Sequence, residues 1–517
     1  MRKFAYRYVT IPIRIYYYPR LQIILHTQCH SRVVKLRTED AMTLHVHRRE
    51  LLLGIAAVAG SSGIIGSAVA SPKVAIGSVP KLGPSMVSLG PEEPIRVSPF
   101  YRPEHGANLQ PAFQAAIDRA AKLRRGKVVN DFGPIEAEMW CPIKYSGFSD
   151  VASDGIPLVI REPLHIDFAG ASFALKGPGG GDRRQFIAGP DYPWFGGWLR
   201  VVGYPGFGRV TIENVKVDGG FAGSVTSNAG SNVSDKGFRV QDTDVKEVYL
   251  SEVELCNFAG EIYYIGGLGP EYQELVNCHF HGSPQSAFNP GGVGKLRAIN
   301  LVAGRSYQAA EIVGGKGHFY QGGKFYDSCS STILGGPSPS FRSGYPYNFS
   351  YWNEIGVPPW VEFDGTVFKH VGATYLGSWM RGSLRNVDSA IWLTPLVGHL
   401  HDIYLDVESW VDRGSGSESI GIFGPRDPKT QVALAPVDTF YEPPSNMKIT
   451  VRCLRTPNAV SKGYAHACAV RLYGGLLDVS TIDIQASGEA KTMVEIFKNP
   501  DPVSIPQVTN IGFTALG

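Results

Sequence analysis

Cysteine is scarce in this chain and follows no metal-binding spacing. Of the 517 residues only seven are cysteine, and none lies in a Cys-x-x-Cys pair or in a Cys/His pattern typical of zinc sites. Cys29 lies near the N-terminus. We interpret the other six as small buried apolar residues, so the sequence supports neither a zinc module nor a disulfide framework.

The chain also lacks a strong net charge. It contains 49 Lys and Arg against 46 Asp and Glu. Ten of the basic residues and three of the acidic ones lie in residues 1–70, so residues 71–517 carry a formal charge of −4. No nucleic-acid partner is indicated, because such proteins concentrate positive charge on the binding domain.

No sustained period of 3.6 residues runs through the chain, which argues against helical repeats of about 33–47 residues. Instead, a short apolar run closes on a diglycine four times between Ser251 and Gly336. The first glycines of the pairs are Gly266, Gly291, Gly314 and Gly335, at steps of 25, 23 and 21 residues. This period, in sequence rich in Val, Ile, Phe and Gly, predicts a solenoid of short parallel strands.

The stretches before the first two diglycines also match each other. Cys256 and Phe258 recur 22 residues later as Cys278 and Phe280. Because equivalent side chains stack from coil to coil in a parallel solenoid, we expect Cys256 to stack on Cys278 and Phe258 on Phe280.

The N-terminal part of the chain resembles an export leader. Arg48 and Arg49 precede a moderately apolar run from Leu51 to Ala70, in which Gly and Ser are frequent. This arrangement resembles a twin-arginine signal with a signal-peptidase site after Ala70. We predict export to the periplasm or beyond, with no membrane span remaining after cleavage.

The leader also sets the predicted domain boundaries. Met42 lies six residues before Arg48, the normal distance for the start of such a signal. We therefore interpret residues 1–41 as an upstream extension, 42–70 as the signal and 71–99, rich in Pro, Ser and Gly, as a linker.

An amphipathic helix is predicted directly after the linker. Asn108 can cap it, Leu109, Phe113 and Ile117 share one face, and Gly126 ends it before a valine strand. The helix, this strand and the many short β-coils that follow resemble the right-handed parallel β-helix superfamily of pectate lyases, polygalacturonases and phage tailspikes. The resemblance implies an all-β, single-stranded right-handed parallel β-helix over residues 100–517, capped by the helix at its N-terminal end. It also leaves a homo-oligomer open, because trimers occur among tailspikes.

An insert at residues 337–360 interrupts the regular spacing and is rich in aromatic residues. Aromatic faces suit sugar rings, and the coil spacing of about 4.8 Å is close to the length of a sugar residue. We interpret the insert as a groove wall for a polysaccharide. The predicted sugar contacts are Tyr263, Tyr345, Tyr347, Tyr351 and Trp352.

Charge is uneven along the central coils. Residues 235–274 are mainly acidic, whereas residues 279–324 are mainly basic and contain three histidines. An acidic band beside a basic band suits an anionic glycan, on which β-elimination needs a cation for the uronate carboxylate and a base for the proton α to it.

The residues for elimination come from these bands. Lys316 and His318 are the predicted bases, and His281 and Arg305 the predicted carboxylate ligands. Elimination proceeds without a cofactor or with Ca²⁺, for which Asp242, Asp244 and Glu261 supply the oxygen ligands that this ion prefers.

Hydrolysis is the alternative mechanism, and it needs two carboxyl groups about 5 to 9.5 Å apart. Asp235, Glu261 and Glu311 each flank a short strand and could share a face. Their placement resembles that of the acids in polygalacturonases, but the Asn-Thr-Asp, Asp-Asp and Gly-His-Gly signatures of that family are missing.

We favour a secreted polysaccharide-degrading enzyme that acts by β-elimination on an acidic, uronate-containing glycan. A glycoside hydrolase that uses the paired carboxylates and a non-catalytic polysaccharide-binding coil remain the alternatives. The sequence does not identify the sugar or the linkage.

Overall fold

The structure is a computed structural model in which the chain forms two compact units. Backbone and side chains are described, except at a few strand ends, for residues 93–141, 156–183, 196–227, 235–240, 245–266, 270–291, 294–311, 317–329, 361–371, 380–393, 401–423, 445–473 and 482–497. Only the backbone is described for residues 13–16, 22–27, 30–34, 332–334, 373–376 and 512–515.

The smaller unit contains an antiparallel sheet near the N-terminus. Its strands are β1 (Ile13–Tyr16), β2 (Gln22–Thr27) and β3 (His30–Val34), and β2 lies between the other two. The predicted export signal at 42–70 falls outside the described residues. None of the helices in the described part of the chain combines the length and the apolar character needed to cross a bilayer.

The larger unit is built from parallel strands in one large sheet and two six-stranded sheets. The large sheet contains β4 (Ile95–Arg96), β5 (Lys127–Val129), β6 (Glu136–Trp140), β8 (Leu164–Lys176), β10 (Arg209–Asp218), β12 (Glu247–Cys256), β14 (Tyr272–Val276), β15 (His279–His281), β17 (Lys295–Ile299), β18 (Val302–Gly304), β20 (Gly317–Gln321), β21 (Lys324–Tyr326), β23 (Val361–Lys369), β25 (Met380–Val387), β27 (His401–Val411), β29 (Ser445–Arg455), β31 (Ile482–Gly488) and β33 (Gly512–Ala515).

The two smaller sheets hold the remaining strands. One contains β7 (Leu158–Ile160), β9 (Gly197–Val201), β11 (Lys236–Val240), β13 (Tyr263–Ile265), β16 (Ser286–Asn289) and β19 (Gln308–Ala310). The other contains β22 (Thr332–Leu334), β24 (Ala373–Leu376), β26 (Ala390–Leu393), β28 (Glu418–Phe423), β30 (Cys468–Tyr473) and β32 (Thr492–Phe497). The predicted parallel β-helix is confirmed, because every pairing described in this unit joins a strand to its counterpart on a neighbouring coil in parallel.

Each central coil contributes two consecutive segments to the large sheet and one strand to a smaller sheet. In the coil of β12, residues 247–251 form the first segment, 253–256 the second, and β13 the strand of the smaller sheet. The strands that precede the first three diglycines do stack, since Tyr263 pairs with Phe288 and Phe288 with Ala310. These register steps of 25 and 22 residues follow the predicted period.

The corner between the first and second segments is turned by residues in the left-handed conformation. Glu252, Asn277 and Asn300 have φ values of 54°, 53° and 52°. Asn277 donates a side-chain hydrogen bond to Glu252 at 2.5 Å, and Asn300 donates one to Asn277 at 3.0 Å. Asparagine tolerates this backbone conformation better than most residues, so the corner repeats from coil to coil.

The cysteine and phenylalanine ladders predicted from the 22-residue offset are wrong. Cys256 pairs with His281, and Leu255 rather than Phe258 pairs with Phe280, at an offset of 25. The reason is the position of the next corner. Asn257, with φ 59°, turns the chain between Cys256 and Phe258, so the two Cys-x-Phe stretches occupy different parts of the coil.

Aromatic stacking inside the column follows the true register. Tyr263 lies between Phe238 and Phe288, with ring centroids 5.5 and 5.4 Å apart, and Phe325 stacks on Phe368 at 5.3 Å. Such pairs add to the burial of large apolar surfaces, which stabilises each coil through its neighbours.

The N-terminal end of the column is closed by helix α1 (Gln110–Leu123), as predicted. Its apolar face, including Phe113 and Ile117, is buried, and Phe113 stacks on Phe168 at 5.1 Å. The Asn108 side chain accepts a hydrogen bond from the Gln110 amide at 3.1 Å. The helix ends at Arg124, in the left-handed conformation, before Gly126 is reached.

The column begins earlier than the predicted linker boundary at residue 99. β4 already pairs in parallel with β5, and Ile95 and Val97 are buried in the core. A short helix near the other end, α2 (Pro457–Lys462), starts after Thr456, whose side chain accepts a hydrogen bond from the Ala459 amide. The aromatic insert at 337–360 lies outside the described residues.

Candidate functional site

The outer face of the second segment collects polar side chains from five successive coils. Because side chains alternate along a strand, Phe280 points into the core while His279 and His281 point outward. Register places Glu254 of the previous coil beside His279, and Tyr326 lies two coils beyond His281 in the same row. We call Lys216, Glu254, His279, His281, Arg305, Lys324 and Tyr326 the His279–Tyr326 site.

The centre of this site is a contact between a phenol and an imidazole. The hydroxyl of Tyr326 lies 2.9 Å from Nε2 of His279, although the two residues are 47 positions apart. Gly304 lies between His281 and Tyr326 in their row, and because it has no side chain the Tyr326 ring can extend over it toward His279. A Cβ on Gly304 would lie 2.5 Å from Cδ1 of Tyr326 and closer still to its carbonyl oxygen. A side chain at position 304 would therefore displace the tyrosine.

Burial shifts the pKa values of His279 and Tyr326 so that the neutral form of each is favoured. Loss of solvent, with a contribution from the neighbouring His281, lowers the pKa of His279 to about 4. Loss of solvent also raises the pKa of Tyr326, and the positive charge of Arg305 opposes that rise. At neutral pH the site thus holds a neutral imidazole that can accept a proton and a neutral phenol that can donate one.

A carboxylate held between two basic groups forms one side of the site. Glu254 Oε1 lies 3.1 Å from Nε2 of His281 and 3.0 Å from Nζ of Lys216. The hydrogen bond with His281, helped by Lys216 and opposed by burial, lowers the pKa of Glu254 to about 2. Glu254 is therefore ionised at any physiological pH and orients His281.

Two further basic groups stand at the other side. Lys324 lies with Nζ 4.7 Å from the ring centroid of Tyr326. Arg305 is exposed, follows Gly304 directly, and turns the corner with φ 42°. Among the described residues its side chain has no hydrogen-bond or ion-pair partner. An exposed guanidinium beside an acid–base pair is suited to hold an anionic group of a ligand.

Glu254, His279 and His281 could also be considered as metal ligands, since their donor atoms lie within 4.8 Å of one another. The Lys216 ammonium already neutralises Glu254, and Nε2 of His279 already contacts Tyr326. This donor set is therefore committed to protein partners. Asp242 and Asp244, the predicted Ca²⁺ ligands, lie outside the described residues.

The predicted carboxylic acid Asp235 lies inside the protein. It is fully buried and forms an ion pair with Arg183, whose side chain is 1% exposed. The Ala259 amide also donates to Asp235 at 2.8 Å. Arg183 neutralises the charge of Asp235, and Arg183 and the Ala259 amide occupy its acceptor positions. Asp235 therefore links two coils and does not face the outer surface.

Glu261, which is buried, and Glu311, which is half-buried, form a second group. Glu261 is paired with Lys236, whose ammonium also lies 3.9 Å from the ring centroid of Tyr264. Burial, with a smaller contribution from the charge of Glu261, raises the pKa of Glu311 to about 7, and its carboxyl group lies 3.2 Å from Oγ of Ser286. The structure thus brings these two acids together, but with one of them already neutralised.

The raised pKa of Glu311 predicts a pH-dependent stability. Its folded-state pKa of about 7 exceeds the ordinary value of 4.5, so the protonated carboxyl stabilises the folded state fully below about pH 4.5. That contribution is lost as the pH rises through 7. We expect Glu311→Gln, which is neutral at every pH, to remove this loss. Melting temperatures of both proteins are measured from pH 4 to 8. They should be nearly equal in acid, and above pH 7 the melting temperature of Glu311→Gln should be higher than that of the wild type.

The exposed Glu271 supplies the matched control for this measurement. Glu271→Gln should follow the wild-type melting curve across the same pH range. A constant offset between wild type and Glu311→Gln at all pH values would show that Glu311 does not titrate as inferred.

Two predicted site residues lie in the column interior. His318 is 1% exposed, and burial lowers its pKa to about 4. Tyr263 is fully buried between aromatic rings and donates to Gln273 at 2.8 Å. A polymer on the outer face does not reach either side chain, so neither is part of the site. Lys316, Tyr345, Tyr347, Tyr351 and Trp352 lie outside the described residues.

Two of the predicted ligands, His281 and Arg305, do lie in the His279–Tyr326 site. Sequence reasoning missed its central residues. His279 and His281 alternate as His-Phe-His, which is a usable signal for two outward histidines on one strand. Tyr326 has a weaker signal, which is the alternation of outward and inward side chains in Lys324-Phe325-Tyr326. The contact of Tyr326 with His279 cannot be read from this alternation, because it depends on the register between coils.

Comparisons with known proteins find remote structural similarity only. The chain is similar to the A-module of the Azotobacter vinelandii mannuronan C-5 epimerase AlgE6, at 12% identity over 82% of this chain and 99% of that one, with a TM-score of 0.38. It is also similar to a double mutant of the tailspike protein of E. coli bacteriophage HK620, at 11% identity over 82% of this chain and 67% of that one, with a TM-score of 0.36. No protein-family model and no curated protein matches the sequence. The fold assignment therefore rests on the strand pairing of the chain itself.

Proposed function

We propose that the protein is a polysaccharide lyase that acts by β-elimination on a uronate-containing glycan. The observation that carries the proposal is the 2.9 Å contact between Tyr326 and His279, beside an exposed Arg305 that has no partner among the described residues. A base next to a free cation is the arrangement that removal of a proton α to a carboxylate requires.

The first step is the recognition of the uronate. Arg305 and Lys324 bind its carboxylate and stabilise the negative charge that develops there when the α proton leaves. Lys216 does not compete for this role, because Glu254 neutralises it. The carboxylate is thus directed to the side of the site where Tyr326 lies.

Proton transfer then runs through the tyrosine. The phenol oxygen of Tyr326 takes the proton α to the carboxylate while its own proton passes to Nε2 of His279. The electron pair of the broken C–H bond forms the new C=C bond, and the bond from the neighbouring carbon to the glycosidic oxygen breaks. That oxygen leaves with a proton returned by the Tyr326–His279 pair or supplied by His281.

Elimination is favoured over hydrolysis by the state of the carboxyl groups. Hydrolysis needs one carboxylic acid and one carboxylate on either side of the bond. Asp235 and Glu261 are buried in ion pairs, and the half-buried Glu311 belongs to the same group as Glu261. Non-catalytic binding would use the basic groups but would have no need of the Tyr326–His279 contact.

Incubation of purified protein with a panel of acidic and neutral polysaccharides tests the proposal. Elimination produces an unsaturated uronate that absorbs in the near ultraviolet, whereas hydrolysis produces reducing ends without that absorbance, and binding produces neither. Reactions in deuterated water add a second readout, since removal of the α proton followed by its return exchanges it for deuterium. Reducing ends without absorbance or exchange would refute elimination.

Export, Ca²⁺ use and assembly stay predictions of the sequence. The signal at 42–70, the acids at 242 and 244 and the aromatic insert all lie outside the described residues. A secreted lyase would meet its polymer outside the cytoplasm, which is consistent with a twin-arginine-type leader.

The lowered pKa of His279 predicts an unusual acid limit for the reaction. Because the imidazole accepts a proton only in its neutral form, kcat/KM should fall in acid with an apparent pKa near 4 instead of near 6.5. Initial rates from pH 3.5 to 8 measure this limb. Substrate binding over the same range is the control, since it separates a loss of affinity from a loss of the base. An acid limb near 6.5 would contradict a buried, neutral His279.

A further inference from the structure

We propose that a second cluster on the larger unit, made of His370, Asp388 and Asp412, binds one divalent transition-metal ion such as Zn²⁺. Donor atoms of these three residues lie within 4.8 Å of one another. The cluster belongs to later coils than the His279–Tyr326 site and contains none of its residues. Nothing in the proposed elimination uses it.

The corner after the second segment builds this cluster. Asp327, His370 and Asp388 occupy equivalent corner positions on three successive coils, with φ values of 43°, 51° and 46°. Each of their amides donates to the carbonyl group of the following coil, at 2.8 to 3.0 Å. The same corner is occupied by Asn257 and Arg305 in earlier coils, so among the described corners this stretch is the one that places an imidazole among carboxylates.

The imidazole of His370 is oriented as in a metal site. Its Nδ1 lies 3.0 Å from Oδ1 of Asp327, which holds the ring and favours the tautomer with the proton on Nδ1. Nε2 is buried and has no hydrogen-bond partner among the residues that the structure describes, and the His370 side chain is only 10% exposed. A buried ring nitrogen with a free lone pair, aimed at carboxylates, needs a cation or a proton to satisfy it.

The distance between the His370 ring nitrogen and the Asp388 carboxylate fits a shared metal ion better than a shared proton. Nε2 of His370 lies 3.4 Å from Oδ2 of Asp388, which is too long for a strong charge-assisted hydrogen bond. Two ligands bound tetrahedrally to Zn²⁺ at about 2.0 to 2.1 Å lie about 3.3 to 3.4 Å from each other. The observed separation matches the edge of such a tetrahedron.

The two carboxylates are held in place by hydrogen bonds from backbone amides and a hydroxyl group. Asp388 accepts hydrogen bonds from the amides of Asp412 and Arg413 at 2.7 Å, and Asp412 accepts one from the Thr456 hydroxyl at 2.7 Å. Each retains acceptor capacity toward His370. One nitrogen and two carboxylate oxygens, with a position left for water, form a ligand set that suits Zn²⁺ better than Ca²⁺, which prefers oxygen ligands alone.

Metal binding to tag-free full-length protein tests the proposal. After dialysis against a chelator, Zn²⁺ is titrated by calorimetry, and Co²⁺ is added as a probe whose visible absorption reports nitrogen and oxygen ligation. We expect one Zn²⁺ per chain, a visible Co²⁺ band that Zn²⁺ abolishes, and a higher melting temperature with Zn²⁺. A wild-type protein that shows none of these overturns the proposal without any variant.

Variants then locate the ion. His370→Asn and Asp388→Asn remove a ligand, and asparagine accepts the left-handed backbone at both positions, so the fold should survive. Each should weaken Zn²⁺ binding more than 100-fold, and Asp327→Asn, which acts only through His370, about 10- to 100-fold. Glu254→Gln in the His279–Tyr326 site is the matched control and should bind Zn²⁺ like wild type. Binding that survives both ligand variants, or that Glu254→Gln abolishes, overturns the assignment.

Discussion

Tyr326→Phe is expected to lower kcat/KM on a uronate-containing polymer about 10²- to 10⁴-fold, the usual contribution of a positioned acid–base group. The variant removes only the hydroxyl that contacts His279 at 2.9 Å. The ring stays beside Lys324 and fills the space over Gly304, so packing is preserved. Initial rates of near-ultraviolet absorbance measure the loss, and deuterium exchange at the α carbon should fall with it.

Tyr404→Phe is the matched control for this variant. Tyr404 is 44% exposed on β27 and pairs with Arg381 and Lys448 of the neighbouring coils, neither of which belongs to the His279–Tyr326 site. It should retain wild-type rates, and both variants should retain the wild-type melting temperature. If Tyr326→Phe keeps full activity, the phenol is not in the proton path and the proposed mechanism is refuted.

Asp235→Ala is expected to lower the free energy of unfolding by about 3 to 5 kcal/mol, because it leaves the buried guanidinium of Arg183 without its counter-charge. Both side chains are at most 1% exposed. Burial disfavours the charged form of Arg183, and Asp235 and Cys141 together outweigh this effect and raise its pKa. In the variant the guanidinium still keeps its proton, because the ordinary pKa of arginine lies far above neutral pH, so the cost of burying the charge is no longer compensated by Asp235. Denaturant unfolding monitored by circular dichroism measures the change.

Two comparisons separate this effect from others. Glu247→Gln breaks the ion pair between Arg209 and Glu247, whose side chains are 52% and 36% exposed, and should cost less than about 1 kcal/mol. The double variant Arg183→Met, Asp235→Leu removes both charges together and should recover most of the stability that Asp235→Ala loses. A fully stable but inactive Asp235→Ala protein would instead support Asp235 as the acid of a hydrolase.

The coil architecture could be predicted because its signals are local and repeated. The apolar runs that end in diglycine at Gly266 and Gly291 recur at the period of a coil, and a Cβ on Gly291 would clash with the Ile265 carbonyl of the coil before it. The helix over Phe113 and Ile117 likewise carries its amphipathic period in consecutive residues. A prediction from such a local pattern remains correct even when the register between coils is assigned with a small error.

The charges of single residues were harder to interpret, because the same residue type can serve inside or outside the column. Asp235 and Glu261 both flank strands and both have the chemistry of a catalytic acid, yet each lies against a buried basic partner. The partner of Asp235 is Arg183, 52 residues away, before the aromatic stretch that precedes β9. Nothing near Asp235 in the sequence points to that arginine.

The amino-acid sequence alone determined that this chain winds into parallel coils with a helix at one end, since apolar alternation, corner residues and helix caps act over a few residues at a time. Only the tertiary structure decided which side chains share a surface. His279 contacts Tyr326, which lies 47 positions further along the chain. His370 lies near Asp388 on the next coil, and the coil between them differs in length from the neighbouring coils. Which residues pair between coils depends on the lengths of all the loops that lie between them in the sequence. A shift of the strand pairing by one residue moves a side chain from the outer face into the core.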